Sequence, residues 1–142
     1  MISNLITLKN DDWLARQRLA GKADKECLET ANDKLLNSSI SMLELNNLCN
    51  EIILKHKCTP TFHQYKGFPG FACISINNEL VHGIPKDQTI NDGDIVKVEL
   101  GATYNGAIAD AAITVIKGKP IKPSHKEMVD TCKDALENAI KN

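Results

Sequence analysis

The sequence predicts an α+β fold, an antiparallel sheet covered by helices. Three observations predict it. Apolar residues at helical spacing occupy both ends of the chain, strand-like runs occupy the middle, and short turns join those runs. Tandem strands with short connections pair antiparallel, and the flanking helices then cover the sheet. A length of 142 residues suits one domain over 1–142. Such a domain buries roughly two thirds of its unfolded surface.

The first helix is read over 11–36 from Leu14, Leu19, Ala20, Ala23, Cys27, Leu28, Ala31 and Leu35, with Asn10 or Asp11 as N-cap. The loop "NSSIS" (37–41) ends in Ser41, and Glu44 three residues on completes a capping box. A second helix then carries Leu45, Leu48, Cys49, Ile52 and Ile53 on one stripe. Residues 58–71, "CTPTFHQYKGFPGF", hold two Pro, two Gly and four aromatics, which predicts an ordered loop. "FACISIN" (71–77) reads as a buried strand, and "ELVHGIP" (79–85) as a second short strand closed by Pro85. After the turn "NDGD" (91–94) comes a hairpin, "GDIVKVELGATYNGAIADAAITV" (93–115), then a turn at "KGKP". Pro123-Ser124 starts a last helix with the stripe Met128, Val129, Cys132, Ala135, Leu136 and Ala139.

Composition removes several function classes. A net charge of −1 supplies no basic footprint for nucleic acid or anionic membrane. Aromatics at 4% make no stacking platform for bases. No apolar run approaches the ~20 residues of a membrane helix. The start "MISNLITLKNDDW" lacks a basic region and is interrupted by Asp11-Asp12, so no secretory signal is predicted. Five scattered cysteines without a CxxC pair predict reduced, mostly buried thiols in a cytoplasmic protein, against a disulfide framework or a zinc ribbon.

The hairpin carries the chemistry. A two-residue Asn105-Gly106 loop favours a type I′ turn and sets the register of its strands. If Tyr104 faces Ala107, Gly101 faces Asp110 and Glu99 faces Ala112. Glu99 and Asp110 then share one face, diagonally placed with Cα atoms roughly 7–8 Å apart. Val96, Val98 and Leu100 point to the other face. Like charges this close repel. Three arrangements relieve the repulsion: a solvated face, neutralisation by Lys97 on the same face, or a hard divalent cation held between the two acids.

Around these residues the chain resembles the N-terminal half of the type I methionine aminopeptidases, a family of pita-bread metallopeptidases. The resemblance covers essentially the whole chain. It runs through "LARQRLAGK", "YKGFPGFACISINNELVHGIP" and "DGDIVKVELGATYNGAIADAAIT". HGIP is similar to type I enzymes, whereas the hairpin wording is shared with other branches. The fold it implies is one half of a pita-bread fold, and the activity is metal-dependent removal of the initiator methionine from nascent proteins. The implied cofactor is a pair of divalent ions (Co, Mn, Fe or Zn) that activates a bridging water. The implied partner is a nascent peptide N-terminus, with room for ribosome association and none for nucleic acid or membrane.

By motif position Asp110 matches the family's second aspartate ligand, and Glu99 stands where the first aspartate is usual, one methylene longer. His82 of HGIP matches the histidine that contacts substrate near the scissile bond, where an imidazole can donate to a developing oxyanion. Without the motif, His82 reads as a packed histidine in a tight turn. Tyr65, Phe68 and Cys73, with Phe62 beside them, match positions that wall the methionine pocket, an apolar setting suited to a thioether. Read alone they are core residues. The family's remaining ligands, a histidine and two glutamates, are expected from a second half following Asn142, and activity only with that half. The alternative is a non-catalytic pita-bread-like module that binds peptide or protein.

Overall fold

The computed structural model describes residues 8–142, and the apolar start read at 1–7 lies outside the described residues. Helix α1 (Asp11–Asn37) begins where Asn10 accepts a hydrogen bond from the Trp13 amide. Helix α2 (Met42–Lys55) begins with the predicted capping box between Ser41 and Glu44. Strands β1 (Thr59–Pro60), β2 (Ala72–Ile76), β3 (Ile95–Tyr104) and β4 (Ala107–Ile116) follow, and helix α3 (Pro123–Lys141) comes last.

The sheet is antiparallel throughout. β3 is its centre, with β1 and β2 along one edge and β4 along the other. Val96, Val98, Leu100 and Ala102 of β3 are buried on one face, where α1 and α2 pack with Ala23, Cys27, Leu35, Leu45 and Ile53. Fully burying a side chain the size of Leu or Ile contributes roughly 1.5–3 kcal/mol. This face therefore holds the helices to the sheet.

Polar side chains complete the junctions. Arg16 and Gln17 of α1 donate to the carbonyls of Asn105 and Ile108, fastening the hairpin turn. The buried Lys117 ammonium donates to the carbonyls of Leu35 and Ser38, which a helix C-terminus leaves without internal partners. In α2 the buried Asn46 accepts from the amides of Phe71 and Ala72, anchoring the start of β2.

Several elements differ from the sequence reading. Residues 79–85 form a loop, because His82 has a left-handed φ of 57° and, beyond the tight-turn bond from Glu79 to Ile76, a single backbone bond, from Ile74 to Gly83, joins them to β2. Leu80, Val81 and Ile84, whose apolar character suggested a strand, are exposed. The loop at 58–71 contains the two-residue strand β1, paired with Ala102 and Thr103, and a 3-10 turn at Tyr65–Gly67. Helix α3 forms, but none of its residues is buried and Cys132 is exposed, because it packs only lightly, along the flank of β4. Leu19 of the α1 stripe is exposed as well.

Asp24 is the residue of α1 least suited to its place. The residue is 2% exposed on the sheet-facing side, and among the described residues neither carboxylate oxygen has a hydrogen-bond partner. Burial raises its pKa from an ordinary 3.8 to about 7; the Asp110 charge adds to the rise, and the Ala102 backbone amide opposes it without reaching hydrogen-bond geometry. The folded chain thus holds a proton between pH ~4 and ~7 that the unfolded chain has released, so stability falls as pH rises through that window and levels off above it. Asp24→Asn should remove this slope and melt higher than the parent at pH 8. Each kcal/mol recovered adds about 2–4 °C to Tm. Thermal melts of both proteins at pH 5 and pH 8 check the outcome; equal slopes would contradict it.

Candidate metal centre

Asn105 and Gly106 have φ of 45° and 79°, the left-handed pair that a type I′ turn requires. From that turn the register runs Tyr104↔Ala107, Gly101↔Asp110 and Glu99↔Ala112, as alternation predicts. Glu99 and Asp110 therefore stand diagonally on the face away from the helices. Glu99 is half-buried and Asp110 exposed. Lys97 does not neutralise either acid: its ammonium donates to the Asn77 carbonyl at 2.9 Å. Among the described residues neither acid is in an ion pair.

On the other edge of β3, Cys73 pairs directly with Glu99. Its thiol is buried, and burial first, then the charges of Glu99 and Asp110, push its pKa up to about 11. His82 reaches the same place from the 79–85 loop. Gly83 next to it lies so close to β2 that a Cβ there would fall 2.1 Å from the Ile74 carbonyl oxygen. Its amide donates to Ser75 Oγ and its carbonyl accepts from Ile74, both at 3.0 Å. This approach sets His82 Nδ1 3.9 Å from Cys73 Sγ. The ligating atoms of Cys73, His82 and Glu99 all lie within 4.8 Å of one another, in a cluster that does not include Asp110.

The aromatic residues are only partly drawn in. Phe62 lies over Gly101, where an added Cβ would meet its ring at 3.1 Å, and Gly101 is the cross-strand partner of Asp110. Phe68 packs at Gly70, which also lies against Pro85 of HGIP and the Ala72 carbonyl. Tyr65 is 65% exposed, and the Lys66 ammonium sits 5.5 Å from its ring centre. His56 is tied to Glu26 at 2.7 Å and His63 stacks on Phe71, so both are occupied away from the acids.

A groove of about 770 Å³ opens beside β4, lined by Asp24, Leu28, Asp110, Ile113, Val129 and Leu136 among others. Asp24 and Asn46 escaped the sequence reading. Asp24 could have been found, since it falls on the buried helical stripe between Ala20 and Leu28.

The profile of metallopeptidase family M24 matches residues 15–142. The chain belongs to metallopeptidase family M24. Among curated M24-type relatives, it is 32% identical to a methionine aminopeptidase of Mycoplasma capricolum over 136 residues, covering 96% of this chain and 54% of that protein. It is 40% identical to one of Clostridium perfringens over 110 residues, covering 78% of this chain and 44% of that protein. The crystal structure of a methionine aminopeptidase from Thermotoga maritima superposes with a TM-score of 0.91 at 33% identity, over 96% of this chain and 55% of that one. The fold is thus half of a pita-bread fold, and the chain spans about half the length of the curated relatives it matches.

Membership of M24 implies a divalent metal. The donor chemistry fits one: two carboxylates without cationic partners on a stiff hairpin suit a hard cation. The placement of His82 depends on Gly83, which gives a direct check. Gly83→Ala should force the loop off β2 and cost about 1–3 kcal/mol, in the range of overpacking. The amide signals of Ile74 and Ser75 should shift by NMR; unchanged signals and an unchanged melt would contradict the close approach.

Proposed function

We propose that this chain supplies part of the active site of a type I methionine aminopeptidase. The reaction is removal of the initiator methionine from nascent cytoplasmic proteins, with a small second residue preferred. The observation that carries this reading is the hairpin register, which sets Glu99 and Asp110 on one open face, in a chain whose relatives at 30–40% identity are named for that activity.

In this reading Glu99 and Asp110 hold divalent ions of the Co, Mn, Fe or Zn kind, two in the complete site. Bound there, the ions supply Lewis acidity and a water acidic enough to act as a nucleophile near neutral pH. His82 contacts the scissile peptide and donates to the oxygen on which charge develops. Cys73, Phe62 and Phe68 offer the methionine side chain a mainly apolar wall, and Tyr65 closes over it from solvent. The further ligands, a histidine and two glutamates, come from polypeptide matching the part of the relatives that this chain does not span. Ribosome association would place the site at emerging N-termini.

The test is a chimera joining this chain to the unmatched remainder of the Mycoplasma capricolum relative. It should release methionine from Met-Ala-Ser in a metal-dependent manner, whereas the chain alone should not. Asp110→Ala in the chimera should lower kcat by a thousandfold or more, and Glu99→Asp should preserve or raise it. A folded, metal-loaded chimera without activity, or one unaffected by Asp110→Ala, would overturn the reading.

A further inference from the structure

We propose that Cys73, His82 and Glu99 form a one-ion site of their own for a thiophilic divalent cation, of which Zn²⁺ and Co²⁺ are the type. It stands on its own geometry and does not rest on the peptidase reading.

Three separate segments converge to build it. Cys73 and Glu99 are fixed as direct cross-strand partners on β2 and β3. His82 is fixed by the Gly83 backbone against Ile74. The donors are a sulfur, an imidazole nitrogen and a carboxylate oxygen, all within 4.8 Å of one another. A tetrahedral zinc with Zn–S of about 2.3 Å and Zn–N of about 2.0–2.1 Å holds sulfur and nitrogen about 3.6 Å apart. The 3.9 Å between Cys73 Sγ and His82 Nδ1 needs a contraction of only a few tenths of an ångström.

The donor set also decides the ion. A thiolate with an imidazole selects zinc-like cations over Mg²⁺ and Mn²⁺, which prefer all-oxygen shells. Cys73 is buried, Glu99 half-buried and His82 exposed, so a fourth coordination position faces solvent on the His82 side. Three protein ligands with an open fourth position are the pattern of reactive zinc sites. On binding, the S–H bond of Cys73 breaks, the S–metal bond forms and the proton leaves to solvent. The side chain of Glu99, longer than an aspartate, gives its carboxylate the reach to join Cys73 and His82. An ion held here engages Glu99 on the same face that carries Asp110. Filling this site therefore competes with any ion bound between the two acids.

The test is Co²⁺ titration of the purified, reduced chain. One equivalent should produce a thiolate-to-cobalt charge-transfer band in the near ultraviolet, displaced by Zn²⁺ and not by Mg²⁺. Cys73→Ser should abolish the band, His82→Gln should weaken binding tenfold or more, and Asp110→Ala should leave the band in place. A second measurement needs no variant. Zn²⁺ should slow alkylation of Cys73, mapped by mass spectrometry, while leaving Cys132 unaffected. Absence of the band, its survival in Cys73→Ser, its loss in Asp110→Ala, or zinc-independent alkylation of Cys73 would each overturn the proposal.

Discussion

The register of the β3–β4 hairpin is the constraint on which the rest depends. Side chains alternate along a strand, so a slip of one residue would turn Val96, Val98, Leu100 and Ala102 away from the helices and bury Glu99 in their place. The core therefore specifies the site: burying the apolar set on one face leaves the acids on the other. The turn at Asn105-Gly106 sets the count, and Arg16 and Gln17 hold that turn against α1.

A second, more local constraint brings chemistry to that face. β2 adds Cys73 beside Glu99 through ordinary strand pairing. His82 arrives because Gly83 has no side chain, which lets the loop backbone press onto Ile74 and accept a left-handed residue next to it. A non-glycine residue with positive φ is strained, and such strain persists only where its surroundings hold it. Here two hydrogen bonds between Gly83 and β2 do so, one donated by its amide to Ser75 Oγ and one accepted by its carbonyl from Ile74. Asp24, by contrast, is a polar group held in an apolar layer without a hydrogen-bond partner among the described residues. It weakens the fold near neutral pH at the place where α1 meets the flank of β4.

Local rules made much of this legible in the sequence. Helix caps at Asn10 and Ser41, the Asn-Gly turn and the period of two along β3 and β4 each depend on a few neighbouring residues, and each is observed. Legibility stopped where distant segments decide. Leu80, Val81 and Ile84 looked like a strand because they are apolar, yet they belong to an exposed loop shaped by Gly83 against β2. Thr59–Pro60 is too short to show periodicity, and only β3 makes it a strand. The α3 stripe has the right spacing, but none of its residues is buried among the described residues. In the candidate site, the diagonal of Glu99 and Asp110 could be counted from the turn. The meeting of Cys73, His82 and Glu99 could not, since it depends on a backbone approach that no spacing encodes.

The central claim is that the open face of the hairpin is a metal-binding face. Paramagnetic Mn²⁺ added to the isotopically labelled chain tests it most directly, by residue-resolved NMR line broadening. The account predicts that the amide signals around Glu99 and Asp110 broaden first, with the β2 signals beside Glu99 following and those of α2 spared. Broadening centred on other acids, such as Asp11 and Asp12 at the start of α1, with the hairpin untouched, would contradict it.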